Sequence, residues 1–180
     1  MVGWAHQRIS IEEEEKKTLL EIKSSLVEFS KSYNGVENLL PSWVVNDGSS
    51  YCDWERINCN SISSSVGDNH KYVIDLSLGN MFSMKESDYS LKIIWPLNIS
   101  LFIHFKELRR LDLSWNYIGN TFLVTTGLEK LSGLKNLETL NLSGNFIETN
   151  NIFPSLSQLA SLKVLDLSFT RGGSLLHGKG

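Results

Sequence analysis

The residues able to do chemistry in this chain are few and widely spaced. Cys52 and Cys59 are its two cysteines, separated by six residues. Such a pair can close a disulfide, stay as two buried thiols, or supply half of a metal site. With no second pair at a matching spacing, the metal reading is poor. His6, His70, His104 and His177 fall in no His-x-x-x-His, Cys/His or Ser/His/Asp grouping. Gly172-Gly173 is too short to cradle a phosphate without a following helix, and no kinase signature is present. The chain therefore offers no catalytic residue, no metal ligand set and no cofactor site, and reads as a non-enzyme. Asn98-Ile99-Ser100 and Asn141-Leu142-Ser143 are acceptor sequences for N-glycosylation.

Composition narrows the class further. The 180 residues include 17 basic and 20 acidic side chains, for a net charge of −3 and no basic stripe, which argues against nucleic acid as a partner. A hydrophobic fraction of 41% excludes a disordered, collagen-like or cysteine-dense chain. No run approaches eighteen apolar residues, so no membrane span is expected within this chain. Met1–Ser10 lacks an apolar core and a small-residue cleavage site, and reads as a truncated or non-native-like leader rather than an intact signal peptide. Residues 171–180 read as a tail that breaks off in mid-pattern.

Three kinds of element must position whatever these residues do. Ser10 is a candidate cap for a helix that opens on Glu12-Glu13-Glu14-Glu15-Lys16-Lys17, where acidic residues suit the dipole and Glu12/Lys16 and Glu13/Lys17 stand at i,i+4. Leu19, Ile22, Leu26 and Phe29 follow at helical spacing as one apolar face. The acidic run itself is expected to be a solvated helix start. Residues 31–70 are rich in turn signals, with Pro41-Ser42-Trp43, Asn46-Asp47-Gly48 and a hairpin tip or loop at 61–69.

From Val73 onward the chain repeats, and 22 of its 27 leucines lie from Leu76 onward. Leu108-x-x-Leu111-x-Leu113-x-x-Asn116 recurs as Leu137-x-x-Leu140-x-Leu142-x-x-Asn145 and as Leu162-x-x-Leu165-x-Leu167, where Thr170 replaces the Asn. Val73-x-x-Leu76-x-Leu78 is a weaker first copy. The starts are 35, 29 and 25 residues apart, the first stretched by an insertion across 82–104. The last two spacings fit a leucine-rich repeat. In each copy the x-Leu-x-Leu-x core is a short strand with its leucines inward, and a lone coil cannot bury them, so coils stack into a parallel sheet. Asn116 and Asn145 sit where the chain leaves the strand and can bond otherwise unpaired backbone groups of neighbouring coils, a ladder that Thr170 would weaken. Trp43 and Trp54 are expected to pack the helix onto the first coil.

The acidic helix, Leu40-Pro41-Ser42-Trp43 and Cys52-x-Trp54-x4-Cys59, followed by Leu-x-x-Leu-x-Leu-Ser-x-Asn coils, resemble the N-terminal part of a plant leucine-rich-repeat receptor-like protein across roughly residues 11–170. The resemblance implies an α/β solenoid with a parallel sheet on its concave face and an N-terminal helical cap. Residues 11–70 would be the cap and 71–170 three to four repeats. It also implies a Cys52–Cys59 disulfide, worth about 2.5 kcal/mol by loop-closure entropy. Relatives often carry further cysteines where this chain has Ser10 and Tyr51, and the plant-type Gly-x-Ile-Pro is absent, which puts a second strand layer in question.

The implied function is extracellular binding of a peptide or protein ligand, with a co-receptor as a further partner, at the plasma-membrane surface or in secreted form, in defence or development. The concave-face candidates are Arg110, Asp112 and Trp115, then Glu138 and Thr139, then Lys163, Asp166 and Phe169, with Trp115 and Phe169 as exposed anchors. A glycan on Asn98 falls in the inserted region, whereas one on Asn141 would obstruct that face. Two other readings stand beside this one. One is a secreted inhibitor of cell-wall-degrading enzymes. The other is a truncated receptor fragment without function, whose uncovered last strand would make the isolated chain self-associate.

Overall fold

Ser10 and Glu13 start the structure with reciprocal bonds. The Glu13 amide donates to Ser10 Oγ at 3.2 Å and the Ser10 amide donates to Glu13 Oε2 at 3.1 Å, a capping box that satisfies two orphan donors of the helix. The computed structural model describes residues 10–33, 38–45, 48–63, 69–82, 94–119, 128–147, 152, 154 and 156–170. The leader, the 171–180 tail, most of the insertion and Phe153 lie outside the described residues, as does the loop tip at 64–68. Helix α1 spans Ile11–Tyr33, and its Leu19, Ile22 and Leu26 are fully buried.

Five strands form one sheet in the order β1-β2-β3-β4-β5: β1 (Ile57–Ser63), β2 (Asn69–Ser77), β3 (Arg110–Asp112), β4 (Thr139–Asn141) and β5 (Val164–Asp166). β2 joins two architectures. It pairs antiparallel with β1, with a bulge at Asn58/Cys59, while its Asp75–Ser77 segment pairs parallel with β3. β3, β4 and β5 continue in parallel, one coil per strand. The register is strict. Leu76, Leu111, Leu140 and Leu165 form one inward row, flanked by the outward rows Asp75-Arg110-Thr139-Val164 and Ser77-Asp112-Asn141-Asp166.

The core is continuous from cap to coils. Leu76, Leu111, Leu140, Leu78, Leu113 and Leu142 are all buried, each contributing about 2 kcal/mol by area. Leu165 and Leu167 are half-buried, since β5 is the outermost described strand. Short 3-10 helices at Ile99–His104 and Leu128–Gly133 return two successive coils on the far side and stack on each other. The described part of the insertion is core as well: Trp95, Leu97 and Ile99 are buried, and Trp95 Nε1 donates to Ser25 Oγ of α1 at 3.0 Å. Phe29, Phe82, Trp95 and Tyr117 make edge and tilted ring contacts that join the helix to the second coil. Outside the main sheet, the described residues hold one isolated parallel bridge, Gly119 to Phe146, so a flanking second layer is vestigial there.

Candidate functional site

The cap is built around two tryptophans, a disulfide and the acidic run, of which the acidic run departs from its expected role. Trp43 and Trp54 are buried and stacked 5.7 Å apart, with Trp43 Nε1 donating to Glu55 O at 2.9 Å and Lys23 Nζ donating to Trp43 O at 2.8 Å. Cys52 and Cys59 are joined as a disulfide that ties the turn at Tyr51–Asp53 to β1. The acidic run is more than a solvated helix start. Glu12 Oε1 accepts from the Lys71 amide, Glu14 Oε1 lies 2.7 Å from His104 Nδ1, and Glu15 is buried against β2. Lys16 lies over the Trp54 ring and Lys17 pairs with Glu21, so neither i,i+4 pair read from the sequence is the contact that these lysines make.

Glu15 is the most perturbed of these groups. Its Oε2 accepts from the Val73 amide at 3.0 Å and lies 3.0 Å from Tyr51 Oη, while its Oε1 is buried with no partner among the described residues. Burial pushes its carboxyl up to about 7, against the opposing pull of the Val73 amide and the Tyr51 hydroxyl. Tyr51 Oη also lies 2.9 Å from Lys71 O. The Tyr51 hydroxyl has two acceptors within reach, Glu15 Oε2 and Lys71 O, and its one proton serves one of them at a time. Burial and the Glu15 charge together drive the phenol far above its usual range. Tyr51 thus fills, with a hydrogen-bonded anchor, a place where the resemblance leads one to expect a cysteine.

The ladder asparagines tie each coil to the one before it. Asn145 Oδ1 accepts from the amides of Asn116 and Ile118 at 3.0 Å, and its Nδ2 donates to Leu113 O and Leu142 O at 2.9 Å. Asn116 Oδ1 accepts from the Met81 amide at 2.9 Å and its Nδ2 donates to Leu78 O. Both are buried. Thr170 donates only to Leu167 O of its own coil, at 2.7 Å.

The outward strand face carries the candidate ligand contacts, and the structure pairs some of them internally. Arg110 Nε donates to Asp75 Oδ2 at 2.8 Å. Glu138 is held by Lys163 Nζ at 2.8 Å and by Arg109 at 3.9 Å, and the Lys163 hydrogen bond draws its carboxyl below the ordinary range. Asp112, Asn141 and Asp166 each turn Oδ1 onto the amide two residues ahead, Ser114, Ser143 and Ser168 respectively. The Ser168 hydroxyl and amide hold Asp166 in its charged form. Thr139 is half-buried. Asn98 is exposed and caps the turn at Ile99–His104, its Oδ1 accepting from Ser100 Oγ at 2.6 Å, whereas Asn141 is half-buried in β4 with its Oδ1 on Ser143.

Beyond the strands runs a row that the repeat pattern did not single out as special backbone. Asn80, Trp115, Gly144 and Phe169 occupy one position in four successive coils, and all have left-handed φ, at 54°, 54°, 67° and 56°. Asn and Gly adopt that region readily, but for bulky Trp and Phe it costs on the order of 1–2 kcal/mol each. Trp115 lies flat over Gly144, where an added Cβ would stand 2.3 Å from the indole. Its ring also meets Phe169 at 5.9 Å. Phe169 is 76% exposed and Trp115 37%.

Comparison with known sequences sharpens this picture. A family described as leucine rich repeat N-terminal domain matches residues 12–60, and one described as leucine rich repeat matches 107–121. Receptor like protein 21 of Arabidopsis thaliana is 36% identical over 172 residues, covering 94% of this chain and 16% of that protein. Receptor-like protein 14 of the same plant is 36% identical over 156 residues, covering 85% of this chain and 14% of that protein. The chain belongs to the plant leucine-rich-repeat receptor-like proteins. It spans about a sixth of the length of these relatives. Solved folds agree: the leucine-rich-repeat ectodomain of the Arabidopsis thaliana receptor kinase SOBIR1 superposes with a TM-score of 0.53 at 21% identity, covering 91% of this chain and 71% of that one. A plant ice-binding protein superposes with a TM-score of 0.55 at 22% identity, covering 92% and 43%. The receptor-like assignment agrees with the helical cap and the leucine-rich coils that follow it. Among the described residues no helix is long and apolar enough to cross a membrane, and no cluster of His, Cys, Asp or Glu is suited to a metal.

Proposed function

We propose that this chain, as cap (11–70) and opening coils (71–170), serves a receptor-like protein on the outer face of the plasma membrane. In this reading its strand face engages an extracellular peptide or protein during signal perception, with a co-receptor as second partner. The observation that carries this reading is the strict register of β2–β5, which lines up Asp75-Arg110-Thr139-Val164 and Ser77-Asp112-Asn141-Asp166 as continuous outward rows on a rigid sheet. A rigid face loses little conformational entropy on binding, so shape and polar complementarity suffice without any bond being made or broken. The long axis of such a face suits an extended peptide. Arg110, Glu138, Thr139 and Lys163 would supply its polar contacts.

The test compares the secreted chain with a variant carrying Arg110→Ala, Thr139→Ala and Lys163→Ala, each displayed on beads against a peptide fraction of plant extracellular fluid. Saturable binding that the triple variant weakens by about tenfold or more, with thermal stability retained, is the expected result. Equal binding by both proteins would end the strand-face reading.

A further inference from the structure

The charge ledger of the strand face does not close. Its cations are committed: Arg110 to Asp75, Arg109 and Lys163 to Glu138, and Arg56 to the carbonyls of Ser77 and Gly79. Asp112 and Asp166 have no cationic partner among the described residues. Each precedes by three residues the aromatic ring of its own coil, Trp115 or Phe169. The two rings meet across the coil that separates them, because Gly144 lacks the Cβ that would displace the indole. The result is a π surface on two adjoining, partly solvent-facing rings, on the same outward face as two carboxylates without a cationic partner among the described residues.

We propose that Trp115, Gly144 and Phe169 form a seat for a cationic side chain, an arginine or lysine of an extracellular peptide, with Asp112 and Asp166 balancing its charge. The inference rests on the strand-face reading above and specifies its ligand. Aromatic faces carry negative quadrupole and attract a guanidinium or ammonium, most strongly when the site is partly desolvated. Carboxylates on the same face add a longer-range attraction that a neutral ligand cannot use. The left-handed backbone at Trp115 and Phe169 points the same way. Asn80 and Gly144 occupy the equivalent place in other coils without that strain, so the two aromatic residues stand here at a local conformational cost.

The probe is a short arginine peptide and its citrulline counterpart, which keeps shape and loses charge. Binding to the full chain is followed by tryptophan fluorescence and by calorimetry. The arginine peptide should bind about tenfold more tightly than the citrulline one, and added salt should narrow the gap. Trp115→Asn and Phe169→Asn should each remove most of that preference. Phe169→Asn relieves backbone strain and gives up little buried area, so its melting temperature should hold or rise, and binding lost there cannot be lost folding; Trp115→Asn also gives up the cover of Gly144, so its fold is checked by circular dichroism at the assay temperature. Asp112→Asn with Asp166→Asn should reduce the arginine preference and leave the citrulline peptide unaffected. Equal affinity for the two peptides overturns the proposal, as does unchanged binding in the Asn variants. Preferential, Trp115-dependent binding of a neutral oligosaccharide overturns it too. If the arginine peptide ignores Trp115 yet is lost on Arg110, Thr139 and Lys163 substitution, the cationic seat fails while the strand-face reading stands.

Discussion

Replacing Glu15 with Gln should stabilise the protein at neutral pH and change little in acid. The Glu15 carboxyl has an ordinary value of 4.5 and is raised to about 7 by burial beside β2. The folded state therefore binds a proton that the unfolded chain has already released between those two values. Stability from this group is fully present below about pH 4.5, falls as pH rises, and reaches its lower plateau above about pH 7. The span between the two values corresponds to about 3 kcal/mol at 1.36 kcal/mol per unit. The substituted amide would not titrate, yet its carbonyl can still accept from the Val73 amide. At pH 7 the variant should exceed the parent by up to about 3 kcal/mol, and near pH 4 the two should agree within about 1 kcal/mol. Urea unfolding followed by tryptophan fluorescence, in steps from about pH 4 to about pH 8, reads the difference directly, because Trp54 packs on Tyr51 beside the site. A carboxyl-carbon NMR titration of Glu15 should have its midpoint near 7. A constant gap across the range, or a variant less stable at pH 7, would refute the reasoning: Glu15 would then be a stabilised carboxylate with an ordinary titration.

Other perturbations test other links. Asn145→Ala should cost about 3 kcal/mol or more, because it strands the buried Asn116 and Ile118 amides and Leu113 O together, and hydrogen exchange at the two amides should accelerate. Thr170→Asn should gain about 1 kcal/mol in chemical denaturation by extending the ladder to the amides of Asn145 and Ile147. Reduction of Cys52–Cys59, or its replacement by two serines, should lower stability by about 2.5 kcal/mol, seen as an earlier urea midpoint in dithiothreitol. Mass spectrometry of secreted protein before and after glycosidase treatment should locate a glycan at exposed Asn98 and none at half-buried Asn141; occupancy reversed between the two would contradict the accessibility argument.

Much of this architecture is legible in residue order, because the signals are periodic. Leucine spacing alone places β3, β4 and β5, and the Asn116 and Asn145 ladder follows from their position at the strand exits. The helix face of Leu19, Ile22 and Leu26 is equally plain. What periodicity cannot show is which partner a polar residue finds across a tertiary contact. Glu12 and Glu15 look like solvated charges in sequence, but Lys71 and Val73, 59 and 58 residues away, bring unpaired strand amides to them. Lys16 looks poised for Glu12 and instead covers Trp54. On the strand face, outward direction is readable but commitment is not: Arg110 and Lys163 point outward yet are held by Asp75 and Glu138. The left-handed backbone at Trp115 and Phe169 leaves no trace in composition; only the Gly and Asn at equivalent places in the repeat hint at it.

The direction of the asparagine ladder has a kinetic consequence. Asn145 completes the backbone of the coil before it, and Asn116 does the same for Leu78 and Met81 one coil earlier. A coil is therefore left with open amides until its successor has been made. On the ribosome, where synthesis runs at about 5–20 residues per second, the ladder bonds of each coil can close only after the next repeat has emerged. Each coil is thus locked by the one made after it, and the newest coil is the one whose ladder bonds are still open.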